Sequence, residues 1–242
     1  VNSTMDSPLV DAMLHPVRGH MAFESCVEQL GSAIQLGIFP PGSKLPNERE
    51  LAERLNVSRA TLREAISALR TAGFVTTTRG RGGGTVVAAI AGEWPGEVNP
   101  VADRRAGIED IIVFRSVIEP GAAYRAAKTA LGSQQRALLT GCLRDLEHAA
   151  TPADYRQADA RLHLAIATVC GSDELSKACS LVQAKVHQFL AEIPFLQANI
   201  ANSDGQHYTI VHAILDGDAE RARFVMHEHC DATAALLKGL LK

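Results

Sequence analysis

The sequence predicts a mainly α-helical chain in two parts: a small unit of three helices and a β-hairpin, then an all-helical bundle. Three observations predict this. Apolar residues recur at helical spacing over most of the chain. One β-branched run, Phe74-Val75-Thr76-Thr77-Thr78, reads as a strand and is followed by a glycine-rich tip and a returning Thr85-Val86-Val87. A cluster of Gly92, Pro95, Gly96 and Pro100 separates this hairpin from six further helical patterns.

The elements follow in order. Residues 1–18 carry Pro8 and Pro16 with no sustained period and read as a mobile N-terminal arm. Phe23, Val27, Leu30 and Ile34 then fall at helical spacing, and Gly37-Ile38-Phe39-Pro40-Pro41-Gly42 stops that helix. Asn47 is placed to cap a second helix, with Glu50 at the capping-box position and Leu51, Ala52 and Leu55 on its apolar face. Ser58 is a fresh N-cap for a third helix, which turns Leu62, Ala65, Ile66 and Leu69 inward and ends at Gly73. The hairpin completes the first unit, 19–88. Residues 89–106 read as a linker. Helical patterns then cover about 107–130, 133–150, 153–170, 174–191, 203–216 and 218–241, so 107–242 is an all-α bundle.

Composition narrows the function. The 242 residues are 46% hydrophobic and 21% charged, an ordinary globular balance that excludes wholesale disorder. No run of 18 apolar residues is present, which argues against a membrane span, and residues 1–18 lack the pattern of a secretory signal. Five scattered cysteines, none in a CxxC pair, read as reduced buried thiols of a cytoplasmic protein. The net charge of −3 hides an asymmetry. Residues 58–81 hold five arginines against one acid, whereas 91–242 hold 15 bases against 19 acids. A basic segment on an acidic chain points to a local anionic partner.

Helix, helix, short turn, helix and hairpin is the order of a winged helix-turn-helix. The third helix places Arg59, Thr61 and Arg63 near its start, away from its apolar face. Such a helix enters the major groove, where guanidinium forks take guanine O6 and N7. The tip Arg79–Gly84 combines arginines with glycines that permit close backbone approach.

The segment GIFPPGSKLPNERELAERLNVSRATLREAISALRTAGFVTTTRGRGGGTVV resembles the DNA-binding domain of the GntR family of bacterial transcription regulators. The resemblance implies contacts to bases or nearby phosphates from Arg49, Arg59 and Arg63. It implies backbone contacts from Ser58 and Thr61, and minor-groove contacts from Arg79 and Gly80. Arg54 and Arg70 match less informative positions.

In the second unit, Asp159 and His163 stand at i and i+4, so one helix face offers both to one metal ion. His207 lies on the stripe His207, Ile210, Val211, Ile214, and His229 on the stripe Ala222, Val225, Met226, His229, Thr233. Both point with the apolar side, whereas His212 and His227 do not. A buried core histidine is the commoner explanation of any single such residue. Four converging candidates make a metal site the competing one.

Asp110 to Lys242 resembles the all-helical effector domain of the FadR subgroup, called FCD. The stretches IIVFRSVIEPGAAYRAA, ADARLHLAIA and QHYTIVHAILDGDAERARFVMHEH carry that resemblance. It implies that Asp159, His163, His207 and His229 coordinate a divalent metal, Zn²⁺ or Ni²⁺ foremost and Mn²⁺ also suited. It also implies that Arg115 lines an effector pocket and forks onto a small carboxylate. The alternative role for Arg115 is an i,i+4 salt bridge with Glu119. The sequence departs from the family at Gly171-Ser172-Asp173, where Gly-Asn is common.

The expectation is a homodimeric cytoplasmic regulator, not an enzyme, that binds a palindromic double-stranded operator at the nucleoid. A small carboxylate at the metal site would release it, with repression the default sign. Two alternatives use the same residues: a metal-responsive regulator without organic effector, and a metal-dependent hydrolase fused to a DNA-binding domain. The hydrolase lacks HExxH, a nucleophile motif and a nominated base.

Overall fold

The computed structural model describes residues 8–17, 22–78, 84–88, 101–191, 193, 195 and 197–240. The chain divides into two compact units, Val1–Glu97 and Val98–Lys242.

In the first unit α1 (Pro8–Met13) and α2 (Ala22–Gln35) precede α3 (Glu48–Leu55), α4 (Arg59–Thr71) and the antiparallel strands β1 (Val75–Thr78) and β2 (Gly84–Val87). The expected mobile arm is corrected over its described part. Residues 8–13 are helical and bury Leu9, Val10, Ala12 and Met13. Val17 N–H donates to the Leu55 carbonyl, and Asp11 pairs with Arg54. Six residues are too few to display a helical period, and the apolar side chains that anchor them are satisfied only by long-range partners.

The N-cap residues are as read from the sequence, although the structure records only the Asn47 half of the capping box expected with Glu50. Asn47 accepts the Glu50 N–H and Ser58 accepts the Thr61 N–H. Asn56 takes a left-handed φ of 53° at the end of α3, which turns the chain tightly enough for α4 to start three residues later, at Arg59. Gly73 is likewise left-handed after α4. The hairpin gains a feature with no local sequence signal. Leu45 N–H donates to the Thr85 carbonyl and Val87 N–H to the Ser43 carbonyl, so the segment before α3 adds a rung to β2.

The second unit comprises α5 (Val101–Lys128), α6 (Ser133–Glu147), α7 (Pro152–Val169), α8 (Asp173–Ala191), α9 (Gln197–Asp216) and α10 (Ala219–Leu240). The expected linker 89–106 is corrected at its end. Residues 101–106 belong to α5, because the turn signals stop at Pro100 and the six residues after it hold neither glycine nor proline. Residues 89–100 lie outside the described residues. Helix α5 packs against α7, α8, α9 and α10, and α7 packs between α6 and α8. The helix starts are capped locally: Thr151 and Asp154 close a reciprocal capping box around Pro152. Among the described residues no helix is long and apolar enough to cross a membrane.

Candidate DNA face and metal centre

Arg49 is exposed on α3, and Arg59 and Arg63 are exposed on the first turns of α4. Arg49 and Arg59 line one shallow depression with Asn56 and Val57. Ser58 and Thr61 are joined to each other: the Ser58 hydroxyl holds the Thr61 N–H and lies 2.9 Å from the Thr61 hydroxyl. The cap therefore sets the angle at which α4 leaves the turn. Arg79 and Gly80 lie outside the described residues.

The sequence reading missed Glu48. Its carboxylate accepts from Arg63 Nε at 2.7 Å and lies 3.9 Å from Arg59 Nη2, so one acid at the start of α3 holds both arginines of α4. The pairs are half-exposed and worth at most about 1 kcal/mol each, so they orient the side chains more than they bind them. Nothing in the local sequence around Glu48 announces a partner fifteen residues away.

In the second unit the four predicted ligands come together. One donor atom each from Asp159, His163, His207 and His229 lies within 4.8 Å of the other three. Helix α7 supplies Asp159 and His163, α9 supplies His207 and α10 supplies His229. The three histidines are buried, whereas His212 and His227 are exposed. His163 Nε2 stands 3.2 Å from His229 Nε2, and His207 Nε2 stands 3.2 Å from Asp159 Oδ1.

These residues fit a divalent ion. Two donors held about 2.1 Å from one ion sit about 3.4 Å apart at tetrahedral angles and about 3.0 Å apart at octahedral ones. Both observed spacings fall between those limits. Neither ring nitrogen of the fully buried His207 has an aligned hydrogen-bond partner among the described residues. Such a group is costly to bury unless something else takes its lone pair. Burial holds His207 down to about 4, only partly offset by the Asp159 carboxylate. Burial and the neighbouring imidazoles hold His229 well below the ordinary imidazole range. Both are neutral near pH 7, the form that ligates.

Behind the ligands lies a group that the sequence analysis named only as an arginine partner. Glu119 is 2% exposed. It accepts from Arg115 Nε at 3.0 Å and from Gln183 Nε2 at 2.5 Å, and its Oε2 is 2.9 Å from His163 Nδ1. That last contact is short but imperfectly aligned, since His163 Nδ1 makes no hydrogen bond in line. Burial disfavours the Glu119 charge, but Arg115 and His163 outweigh it and hold the carboxyl well below its ordinary range. Burial likewise disfavours the Arg115 charge, and Glu119 more than offsets it. Ion pair and pocket were alternatives for Arg115 in the sequence. In the structure its Nε serves Glu119 while the same side chain lines a cavity.

That cavity encloses about 120 Å³ and reaches the candidate ligand cluster through Asp159 and His229. Its walls combine Arg115, Arg156, Tyr155 and Gln206 with Ile193, Phe195 and Leu236. Gln206 Oε1 lies 3.3 Å from His229 Nδ1, a contact that fixes which ring nitrogen faces the other ligands.

A winged helix-turn-helix followed by a helical unit whose cavity mixes arginines with apolar walls is the arrangement of a DNA-binding transcription regulator. The sequence comparisons place it in a family. The profile described as "Bacterial regulatory proteins, gntR family" matches residues 24–87, and that of the FCD domain matches 110–232. The chain is 31% identical over 220 residues to the "Putative HTH-type transcriptional regulator RmpR" of Mycobacterium gastri, covering 85% of this chain and 76% of that protein. It is 31% identical over 208 residues to the "Putative L-lactate dehydrogenase operon regulatory protein" of Escherichia coli (strain K12), covering 81% and 79%. Among solved structures, E. coli McbR/YncC shares the fold with a TM-score of 0.54 at 19% identity, over 91% of this chain and 99% of that one. The chain belongs to the GntR family of bacterial transcription regulators, with an FCD domain, consistent with the FadR subgroup. The matched families and relatives are transcription regulators, not enzymes.

Proposed function

We propose that the chain is a repressor released from its operator by a small carboxylate, bound beside a divalent metal in the FCD domain. The observation that carries this reading is the meeting of the two parts of the site. Asp159 and His229 belong both to the ligand cluster and to the wall of the cavity that Arg115 lines. Asp159, His163, His207 and His229 would hold Zn²⁺, Ni²⁺ or Mn²⁺. The metal supplies a Lewis-acidic anchor for a carboxylate oxygen. Arg115 orients that carboxylate through guanidinium donors not used by Glu119. The relative named for an L-lactate dehydrogenase operon supports a small acid as the signal, because lactate is one.

On the DNA side, Arg49, Arg59 and Arg63 contact bases or adjacent phosphates, Ser58 and Thr61 the backbone, and Arg79 and Gly80 the minor groove. A palindromic operator requires two copies of the reader. We assign the homodimer contact to the outer stripe of α5, where Val113 and Val117 are 64% and 69% exposed and Phe114 is 39% exposed. An antiparallel pairing of two α5 helices centred between Val117 and Ile118 sets Phe114 over Gly121 of the second copy. Space for it exists, since nothing lies within 4 Å of a Cβ built on Gly121. The same register opposes Asp110 to Arg125, a charge-complementary pair. The regulator works in the cytoplasm, at the nucleoid when bound.

The test is operator binding by fluorescence anisotropy, with metal-loaded and chelated protein, against a panel of small acids. The reading expects one class of acid to weaken operator binding about 5- to 150-fold, and only with metal present. Operator affinity that follows metal concentration alone would instead establish a metal-responsive regulator.

A further inference from the structure

Arg156 lines the same cavity as Arg115, and the proposed function makes no use of it. It sits one turn before Asp159 on α7, about 4.5 Å along the helix axis from that ligand. It is intermediate in exposure. Its Nη2 donates to the Ile193 carbonyl at 2.9 Å, and its guanidinium carbon lies 5.7 Å from the Phe195 ring centroid. Among the described residues it has no carboxylate partner. Asp204 is already engaged, accepting the Tyr155 hydroxyl at 2.6 Å. Burial pulls the Arg156 pKa down, as expected of a cation with incomplete compensation.

The charge of the lining points the same way. Two guanidiniums line the cavity; Arg115 is already compensated by Glu119, and the one lining carboxylate, Asp159, is assigned by the proposed function to the metal, which leaves Arg156 as the cation without a counter-charge among the described residues. A bound divalent ion would add to the positive excess. A partly desolvated guanidinium with unfilled donors, one helical turn from the metal ligands, is a ready place for a second acidic group.

We propose that the occupant of this cavity is a short dicarboxylate, with one carboxylate on the metal and Arg115 and the other on Arg156. The inference rests on the carboxylate reading above and narrows it to diacids. The spacing along α7 suits a chain of about four carbons. The apolar residues Ile193, Phe195 and Leu236 then cover the methylene segment.

The test compares acids that share a carbon skeleton, by calorimetry on the metal-loaded full-length chain: succinate against butyrate, and malate against 2-hydroxybutyrate. Each diacid is expected to bind at least about tenfold more tightly than its monoacid. Arg156→Gln should weaken the diacids about 10- to 100-fold and leave the monoacids within about twofold, since a charge-assisted hydrogen bond is lost only with the second carboxylate. Arg156→Lys should recover part of the loss. Metal stoichiometry and the melting curve of each variant report whether the fold is intact, and the wild-type comparison decides the matter even if Arg156→Gln unfolds. Equal affinities within each pair, or an Arg156→Gln loss equal for both, would overturn the dicarboxylate inference alone. Failure of every acid to bind metal-loaded protein would overturn it together with the carboxylate reading.

Discussion

Replacing His207 with leucine separates a metal ligand from an ordinary core histidine, because the two roles predict opposite signs. His207 is fully buried, and its ring centroid lies 5.5 Å from that of His163 and 4.5 Å from that of His229. Leucine is of similar volume, so little cavity is created. With chelator present, the wild type buries an imidazole whose two nitrogens have no aligned partner. Removing them relieves a desolvation cost of about 1–3 kcal/mol. His207→Leu should then melt level with the wild type or above it, by up to about 10 °C for a unit of this size. With metal at a hundred times its Kd, the wild type gains about 2.7 kcal/mol. The variant lacks a ligand and gains far less, so the order reverses. The assay is differential scanning fluorimetry of both proteins with Zn²⁺, Ni²⁺ or Mn²⁺ and with chelator, alongside metal content by mass spectrometry. The reasoning fails if the wild-type melt ignores both metal and chelator, or if the variant is destabilised equally in both.

Other expectations follow from the same geometry. Glu119→Gln leaves buried Arg115 without its counter-charge and should destabilise the helical unit by about 3–5 kcal/mol. It should also weaken metal binding about 10- to 100-fold through His163, and adding Arg115→Met should restore much of the stability but not the affinity. In metal-free protein, His207 is neutral down to about 4 whereas an unfolded histidine takes its proton near 6.5. Stability is therefore fully present above pH 6.5 and falls as the pH drops toward 4, by up to about 3 kcal/mol from this residue. Chemical denaturation across that range should reveal the slope, and His207→Leu should flatten it. Arg59→Ala should cost about 1–3 kcal/mol and relax base preference at one operator position. A loss uniform over all operator sequences would make it a phosphate contact. Val117→Glu places two like charges beside the proposed two-fold axis. Sedimentation should then find monomer, and persistence of the dimer would place the interface elsewhere.

The helices, caps and hairpin were legible because their causes are local. Asn47 and Ser58 cap through bonds three residues long, and Leu62, Ala65, Ile66 and Leu69 repeat at the helical period. The convergence of Asp159, His163, His207 and His229 was legible for a related reason: Asp159 and His163 share a face at i and i+4, and His207 and His229 each share a stripe with core residues, so direction was encoded even though distance was not. The short helix at 8–13 was missed because its stability comes from Leu55, Arg54 and α2 rather than from its own length.

By itself, then, the amino-acid sequence determined the mainly α architecture, the helix that carries the arginines and the inward set of Asp159, His163, His207 and His229. Each follows from periodicity, capping and spacing along one chain. Only the tertiary structure decided what stands opposite them. It joined Glu48 to Arg63, lodged Glu119 between Arg115, His163 and Gln183, and turned Arg156 into the wall of the same cavity as Arg115. The contacts between helices among them span separations of fifteen to sixty-four residues. Side-chain charge and hydrogen bonding act through space, and a periodic pattern carries the direction of a residue but not the identity of its partner.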